Sequence, residues 1–174
     1  MKKIVVFLSL FFITACSNLP KSLPITYDID EVNKYVLTCP VNVYIKDDRE
    51  VKSFYPSKEN TLTNNQLTIW IKTALMKKVK NKELLTTIHL KNEKDSGYKT
   101  LSLIKADISW LGYAIFAHIT LVSKDKNNHI IKKYRGLDTK SNLTSSRWEF
   151  QQILNNALTQ AIDQYLQDQE KKQC

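Results

Sequence analysis

The chain has 174 residues, with 26 Lys and Arg against 17 Asp and Glu, and 43% of its residues are hydrophobic. That length suffices for one compact domain with its own core. The lysines are spread out apart from Lys77-Lys78-Val79-Lys80 and Lys132-Lys133, and no arginine-rich arm or aromatic RNA-binding motif accompanies them, which argues against nucleic acid as a partner.

The first element is a leader. Met1-Lys2-Lys3 precedes an uncharged apolar run from Ile4 to Ile13, then Thr14-Ala15-Cys16. A basic start, an apolar core of about ten residues and a small residue at the cut describe a secretory signal. The run is shorter than the ~20 apolar residues a membrane-spanning helix needs. Ile13-Thr14-Ala15-Cys16 resembles the bacterial lipobox, which implies a diacylglyceryl group on the Cys16 sulfur and an N-acyl chain on its new terminus. Several chains anchor stably where one gives marginal binding. No other cofactor is expected.

Residues 1–15 are therefore read as the signal peptide, 16–34 as the lipidated N-terminus and tether, and 35–174 as one periplasmic domain. Ser17, rather than aspartate, is similar to the sorting choice for the outer membrane. The expected location is that membrane, facing the periplasm, with the periplasmic face of the inner membrane or the cell surface as alternatives. Without Lys2 and Lys3 the balance is 24 basic against 17 acidic residues, or +7. That charge would suit anionic lipid, lipopolysaccharide or an acidic partner, or would simply be a solvated lysine-rich surface.

Tether-like composition, with Pro20 and Pro24, leads to a first strand over Val36 to Lys46. Cys39, Val41, Val43 and Ile45 share one face, and Pro40 points to an edge or bulge because it lacks a ladder donor. Cys39 and Cys174 form an even pair in an oxidising compartment; a bridge would close a loop of 135 residue steps, worth roughly 4–5 kcal/mol in loop entropy. The alternative is a buried thiol at Cys39 and a frayed one at Cys174. Residues 47–62 read as a loop carrying the aromatic pair Phe54-Tyr55.

Thr63 and Gln66 fit a capping box for a helix whose Leu67, Trp70, Ile71, Ala74, Leu75 and Val79 recur at helical spacing. Strands follow over Leu84 to Leu90, Thr100 to Trp110 (Ile104, Ala106, Ile108 and Trp110 inward), Tyr113 to Ser123 and His129 to Arg135. Gly112 marks a tight connection, Asn127-Asn128 a hairpin turn, and Gly136 the end of the meander. Ser146 and Glu149 cap a last helix with a stripe from Phe150 to Leu166 and a polar opposite side. The order β-α-β-β-β-β-α predicts an α+β two-layer sandwich: an antiparallel sheet of four to five strands with both helices on one face.

Chemistry is sparse. The sequence has no GxSxG, HExxH, phosphate loop or dinucleotide fingerprint, and no Cys/His cluster with metal spacing. His118 lies beside the strand of Asp107, so the two side chains can meet, but an outward strand histidine accounts for it. Asp47-Asp48 offers too few convergent oxygens for a metal and reads as a solvated loop. The chain is expected not to be an enzyme. Phe54, Tyr55 and Trp148 are the candidates for a partner surface, since aromatics dominate interface energetics, although packing of a loop over the sheet would also use them.

The residues Val41-Asn42-Val43-Tyr44-Ile45-Lys46 leading into Asp47-Asp48-Arg49, the helix Leu67 to Val79, Ala106-Asp107-Ile108, Ala114 to Val122, Tyr134-Arg135-Gly136 and the final amphipathic helix resemble the YajG-like outer-membrane lipoproteins. The likeness runs over about residues 36–169. It departs after the first helix, where Lys80-Asn81-Lys82 replaces a glycine turn. The resemblance implies a non-enzymatic lipoprotein that binds an envelope partner and offers no catalytic residues. A similar order of elements in the lipopolysaccharide-assembly lipoprotein and in auxiliary lipoproteins of lipid-transporting ABC systems implies the alternative, an accessory lipid- or lipopolysaccharide-binding module.

Overall fold

The computed structural model describes residues 25–29, 34–51, 64–88, 99–141 and 147–172. In chain order these form β1 (Val41–Asp47), α1 (Asn64–Lys78), a 3-10 turn (Lys82–Leu84), β2 (Leu85–Ile88), β3 (Lys99–Leu111), β4 (Ala114–Lys124), β5 (Ile130–Ser141) and α2 (Arg147–Glu170). The expected α+β order holds, with five strands in one sheet arranged β2-β1-β3-β4-β5.

The sheet is mixed, which corrects the antiparallel expectation. β3-β4-β5 is an antiparallel meander, whereas β1 runs parallel to both β2 and β3. The β1-α1-β2 unit explains the first parallel pair: a strand, a crossover helix and a strand in the same sheet run in one direction. β1 is consequently interior, and Pro40 sits just before it, so the missing donor falls outside the ladder and no edge is needed.

Both helices lie on one face. Leu67, Trp70, Ile71, Ala74 and Leu75 of α1 are buried against Val41, Val43 and Ile45 of β1 in one continuous core, and α2 contributes nine apolar side chains from Phe150 to Leu166. Each such large apolar side chain contributes about 1.5–3 kcal/mol on burial.

Strand β3 departs from simple alternation. Leu101 and Leu103 are buried, then Ala106 and Ile108, because the register shifts at a bulge between Leu103 and Lys105. The extra residue is Ile104, which leaves the core row, contrary to expectation; a bulge flips the phase of the pleat.

Gly136 lies inside β5 rather than at its end. A Cβ there would stand 1.7 Å from the Ala157 carbonyl oxygen, so α2 rests its backbone directly on the strand. Only glycine permits that approach, and β5 continues to Ser141 beneath the helix.

The α2 face opposite the sheet is also covered. Asn155 is buried and accepts a hydrogen bond from Trp70 Nε1 at 2.7 Å. The reason is the N-terminal segment 25–29, expected as tether, which packs on the helices. Asn155 Nδ2 donates to the Thr26 carbonyl at 2.9 Å, Gln151 Nε2 donates to Thr26 Oγ1 at 2.6 Å, and Tyr27 Oη bonds Thr159 Oγ1 at 2.7 Å. At the C-terminal end of α2, Val36 N donates to Glu170 Oε1. Lys78 is likewise inside, paired to Asp163 at 2.6 Å, instead of lying on a solvated helix end.

Candidate functional site

The β3–β4 hairpin closes through two residues, Gly112 and Tyr113, between the paired Leu111 and Ala114. Gly112 adopts φ +59, the left-handed conformation such short hairpin turns demand. Its flanks are unusual for a turn. Leu111 and Tyr113 are 74% and 76% exposed, and Trp110 44%. Residues 108–117 contain no charged side chain. Trp110 is inward on the strand, as expected, and its ring meets Phe150 edge-on at 5.7 Å, but the sheet ends there and half of the indole stays open. β1 stops at the Asp47–Leu103 pair while β3 runs on to Leu111, about 26 Å of further strand at ~3.3 Å per residue, and on the other side β5 accompanies β4 to the Ala114–Ser141 pair.

Farther back on the outer face, His118 Nδ1 lies 3.4 Å from Asp107 Oδ2, and Lys105 Nζ lies 3.3 Å from Asp107 Oδ1. His118 is paired across the strands with Asp107 and Leu137. On the ladder this pair is flanked by Phe116, Thr120 and Leu137. No group of three or more potential metal-binding side chains occurs among the described residues.

At the opposite end of the sheet a cleft of about 180 Å³ is lined by Lys99, Lys132, Tyr134, Tyr165, Asp168 and Lys172, among others. Lys132 Nζ pairs with Asp168 Oδ2 at 2.7 Å and lies over the Tyr134 ring. Tyr134 and Tyr165 meet edge-on at 5.5 Å. Burial pushes the Tyr165 hydroxyl well above the ordinary phenol range. Burial and the neighbouring Lys99 ammonium lower the Lys172 pKa. The cleft is smaller than the roughly 300–1,000 Å³ of small-molecule sites.

Asp47 and Asp48 are not a solvated loop. Asp47 is buried in a two-bond pair with Arg49, at 2.8 and 3.1 Å. Asp48 lies between Lys124 Nζ at 2.6 Å and Lys46 Nζ at 3.2 Å. Burial would raise the Asp48 pKa, but these ammonium groups outweigh it and hold the carboxyl below its usual range.

Of the residues singled out from sequence, Cys16, Phe54, Tyr55 and Cys174 lie outside the described residues, and Trp148 falls in the first turn of α2 with a side chain that is not described. Cys39 is half-buried just before β1, its Sγ 3.6 Å from the Lys172 carbonyl oxygen. The Thr38 hydroxyl donates to the same carbonyl at 2.9 Å. Sequence reasoning missed Leu111 and Tyr113, although the signal was present: large apolar residues on both sides of a turn glycine, where turn residues are normally polar.

No family model and no curated protein matches the sequence. Among solved structures, the chain is similar to an uncharacterized protein at 9% identity and a TM-score of 0.46, over 78% of this chain and 98% of that one. It is also similar to a Xanthomonas campestris protein of the DUF330 family, at 7% identity and a TM-score of 0.46, over 83% and 90%. A PelC dodecamer from Paraburkholderia phytofirmans is matched at 8% identity and a TM-score of 0.38, over 75% and 94%. None of these likenesses carries a conclusion about what the present chain does.

Proposed function

We propose that this chain is an outer-membrane lipoprotein of the YajG-like kind, anchored through acylated Cys16, facing the periplasm and acting as a non-enzymatic binding module. The observation that carries the binding-module reading is the contact of Gly136 with Ala157. With the α2 backbone seated on β5, the two layers leave no gap there for an acyl chain. A lipid carrier needs such a cavity, whereas a module that binds through its surface has a filled core and exposed apolar residues. Leu111 and Tyr113 supply the latter. The accessory lipid-carrier alternative is disfavoured on the same ground.

The bridge between Cys39 and Cys174 belongs to this reading. It is supported by the seat of Cys39 beside Lys172, two residues before Cys174.

Labelling cells with radioactive palmitate tests the anchor: the wild-type chain takes up label and Cys16→Ala does not. Native mass spectrometry of the purified protein tests the module. The expected spectrum carries no phospholipid beyond the covalent acyl groups, and a stoichiometric phospholipid adduct would reverse the choice. Crosslinking in intact cells identifies the envelope partner.

A further inference from the structure

The β3–β4 turn and the first described residues lie at the same end of the molecule. Trp110 packs on Phe150 in the first turn of α2. On the far side of that helix, Thr26 is held by Gln151 and Asn155, about one helix diameter away. Thr26 is held by Gln151 and Asn155 and Tyr27 by Thr159 farther along α2, so Ile25, the first described residue, stands toward the hairpin end.

We propose that Trp110, Leu111 and Tyr113 seat in the interfacial layer of the bilayer that holds the anchor, giving the domain a second point of attachment and a fixed orientation. This inference rests on the lipoprotein reading above. Three observations favour lipid over a protein as the occupant. The residues stand at the turn end of the β3–β4–β5 meander, where Leu111 and Tyr113 are exposed. Trp and Tyr with an aliphatic residue between them are the types that settle at headgroup depth, apolar body inward and polar edge toward water. The segment 108–117 is uncharged, and Lys140, opposite Ile115 on the neighbouring strand, is paired with Glu149. Reach also fits: Cys16 and Ile25 are nine steps apart, about 30 Å at full extension, which keeps the hairpin end within range of the membrane.

The test uses the mature lipoprotein in phosphatidylethanolamine–phosphatidylglycerol vesicles containing lipids brominated near the headgroup end of the chain. The emission lost between wild type and Trp110→Phe isolates Trp110, and that component should be quenched by at least about half. The mature chain carrying Cys16→Ser should partition weakly to the same vesicles. Leu111→Ser with Tyr113→Ser, both at exposed positions that leave the Trp110–Phe150 contact intact, should reduce that partition about tenfold. Unquenched Trp110 emission in a protein that carries fatty-acid label at Cys16 overturns the inference and leaves the anchor standing. Unchanged partition together with loss of a protein crosslink in the double variant also overturns it, assigning the tip to a protein partner. Absence of fatty-acid label with quenching retained removes the anchor reading and keeps the tip.

Discussion

Trp70 and Asn155 tie three parts of the molecule at one point. The Trp70 indole N–H donates to Asn155 Oδ1 at 2.7 Å, and the Asn155 amide donates to the Thr26 carbonyl at 2.9 Å. One asparagine thus joins α1, α2 and the N-terminal segment in a buried setting. Replacing it with leucine removes the acceptor of the indole and the donor to Thr26, and losing hydrogen bonds at buried groups costs about 1–3 kcal/mol each. Urea unfolding of Asn155→Leu should show a loss of about 3 kcal/mol; a loss below about 0.5 would mean that the network is not coupled to folding.

The two structural glycines should respond differently. Gly136→Ala places a Cβ against the Ala157 carbonyl, which is backbone and cannot swing away. The layers must part, at a cost of about 3 kcal/mol or more. At Gly112 nothing lies within 4 Å of an added Cβ, so Gly112→Ala meets only the left-handed φ penalty, about 1–2 kcal/mol. Thermal melts of the two variants should rank in that order.

How much of this was legible in the sequence follows from which signals are local. The α1 stripe from Leu67 to Val79 and the α2 stripe from Phe150 to Leu166 are local periodicities, and both faces are buried as expected. The parallel pairing of β1 was not read, because strand direction is decided by partners 44 and 56 residues away, Leu85 for Val41 and Lys99 for Val43. The bulge at Ile104 was invisible for a related reason: Leu101 and Leu103 fit one phase of alternation, Ile104, Ala106 and Ile108 fit the other, and no glycine or proline marks the change. Gly136 read as a stop because a glycine that ends a strand and one that lets a helix touch it look alike without the helix. The hairpin tip was partly legible, with Trp110 placed on the correct face but its exposure hidden by not knowing where the sheet ends.

The pair between Lys78 and Asp163 should behave as a unit. Lys78 is almost fully buried and its partner is 2.6 Å away. Asp163→Asn leaves a buried ammonium and should cost about 3 kcal/mol, at the low end for a buried pair because the carboxylate side retains some solvent. Lys78→Met with Asp163→Leu should recover most of that loss. A double-mutant cycle by chemical denaturation measures it, and strict additivity of the two single changes would contradict the coupling.

Acid sensitivity should pass through Asp48. Its carboxyl is held below the usual range by Lys124 and Lys46 against the opposing effect of burial. A depressed folded-state pKa gives stability that is present above the unfolded value near 4 and lost as pH falls through the folded value. The stability gap between wild type and Asp48→Asn should therefore be widest at neutral pH and narrow between about pH 5 and pH 2. Unfolding curves collected across that range check it, and a constant gap would contradict the assignment.

The proposed bridge makes a count. The mature protein, with Cys16 acylated, should release no thiol on denaturation and two after reduction. Cys39→Ser should lower stability by about 2–4 kcal/mol. Two thiols in the unreduced, denatured protein would rule the bridge out.

The fastening of Thr26 has a consequence for the order in which the molecule can be completed. Its partners, Gln151 and Asn155, lie 125 and 129 residues later in the chain. Lys77 of α1 reaches the neighbouring Tyr27 carbonyl, but the Thr26 contacts themselves wait until the final helix has been made and laid on the sheet. Such distant closures slow folding relative to local ones. A chain halted before α2 would hold its β meander without that helix as a cover and its leading segment without the Gln151, Asn155 and Thr159 contacts. The N-terminal clasp thus closes only on a chain that already extends through Thr159 of α2.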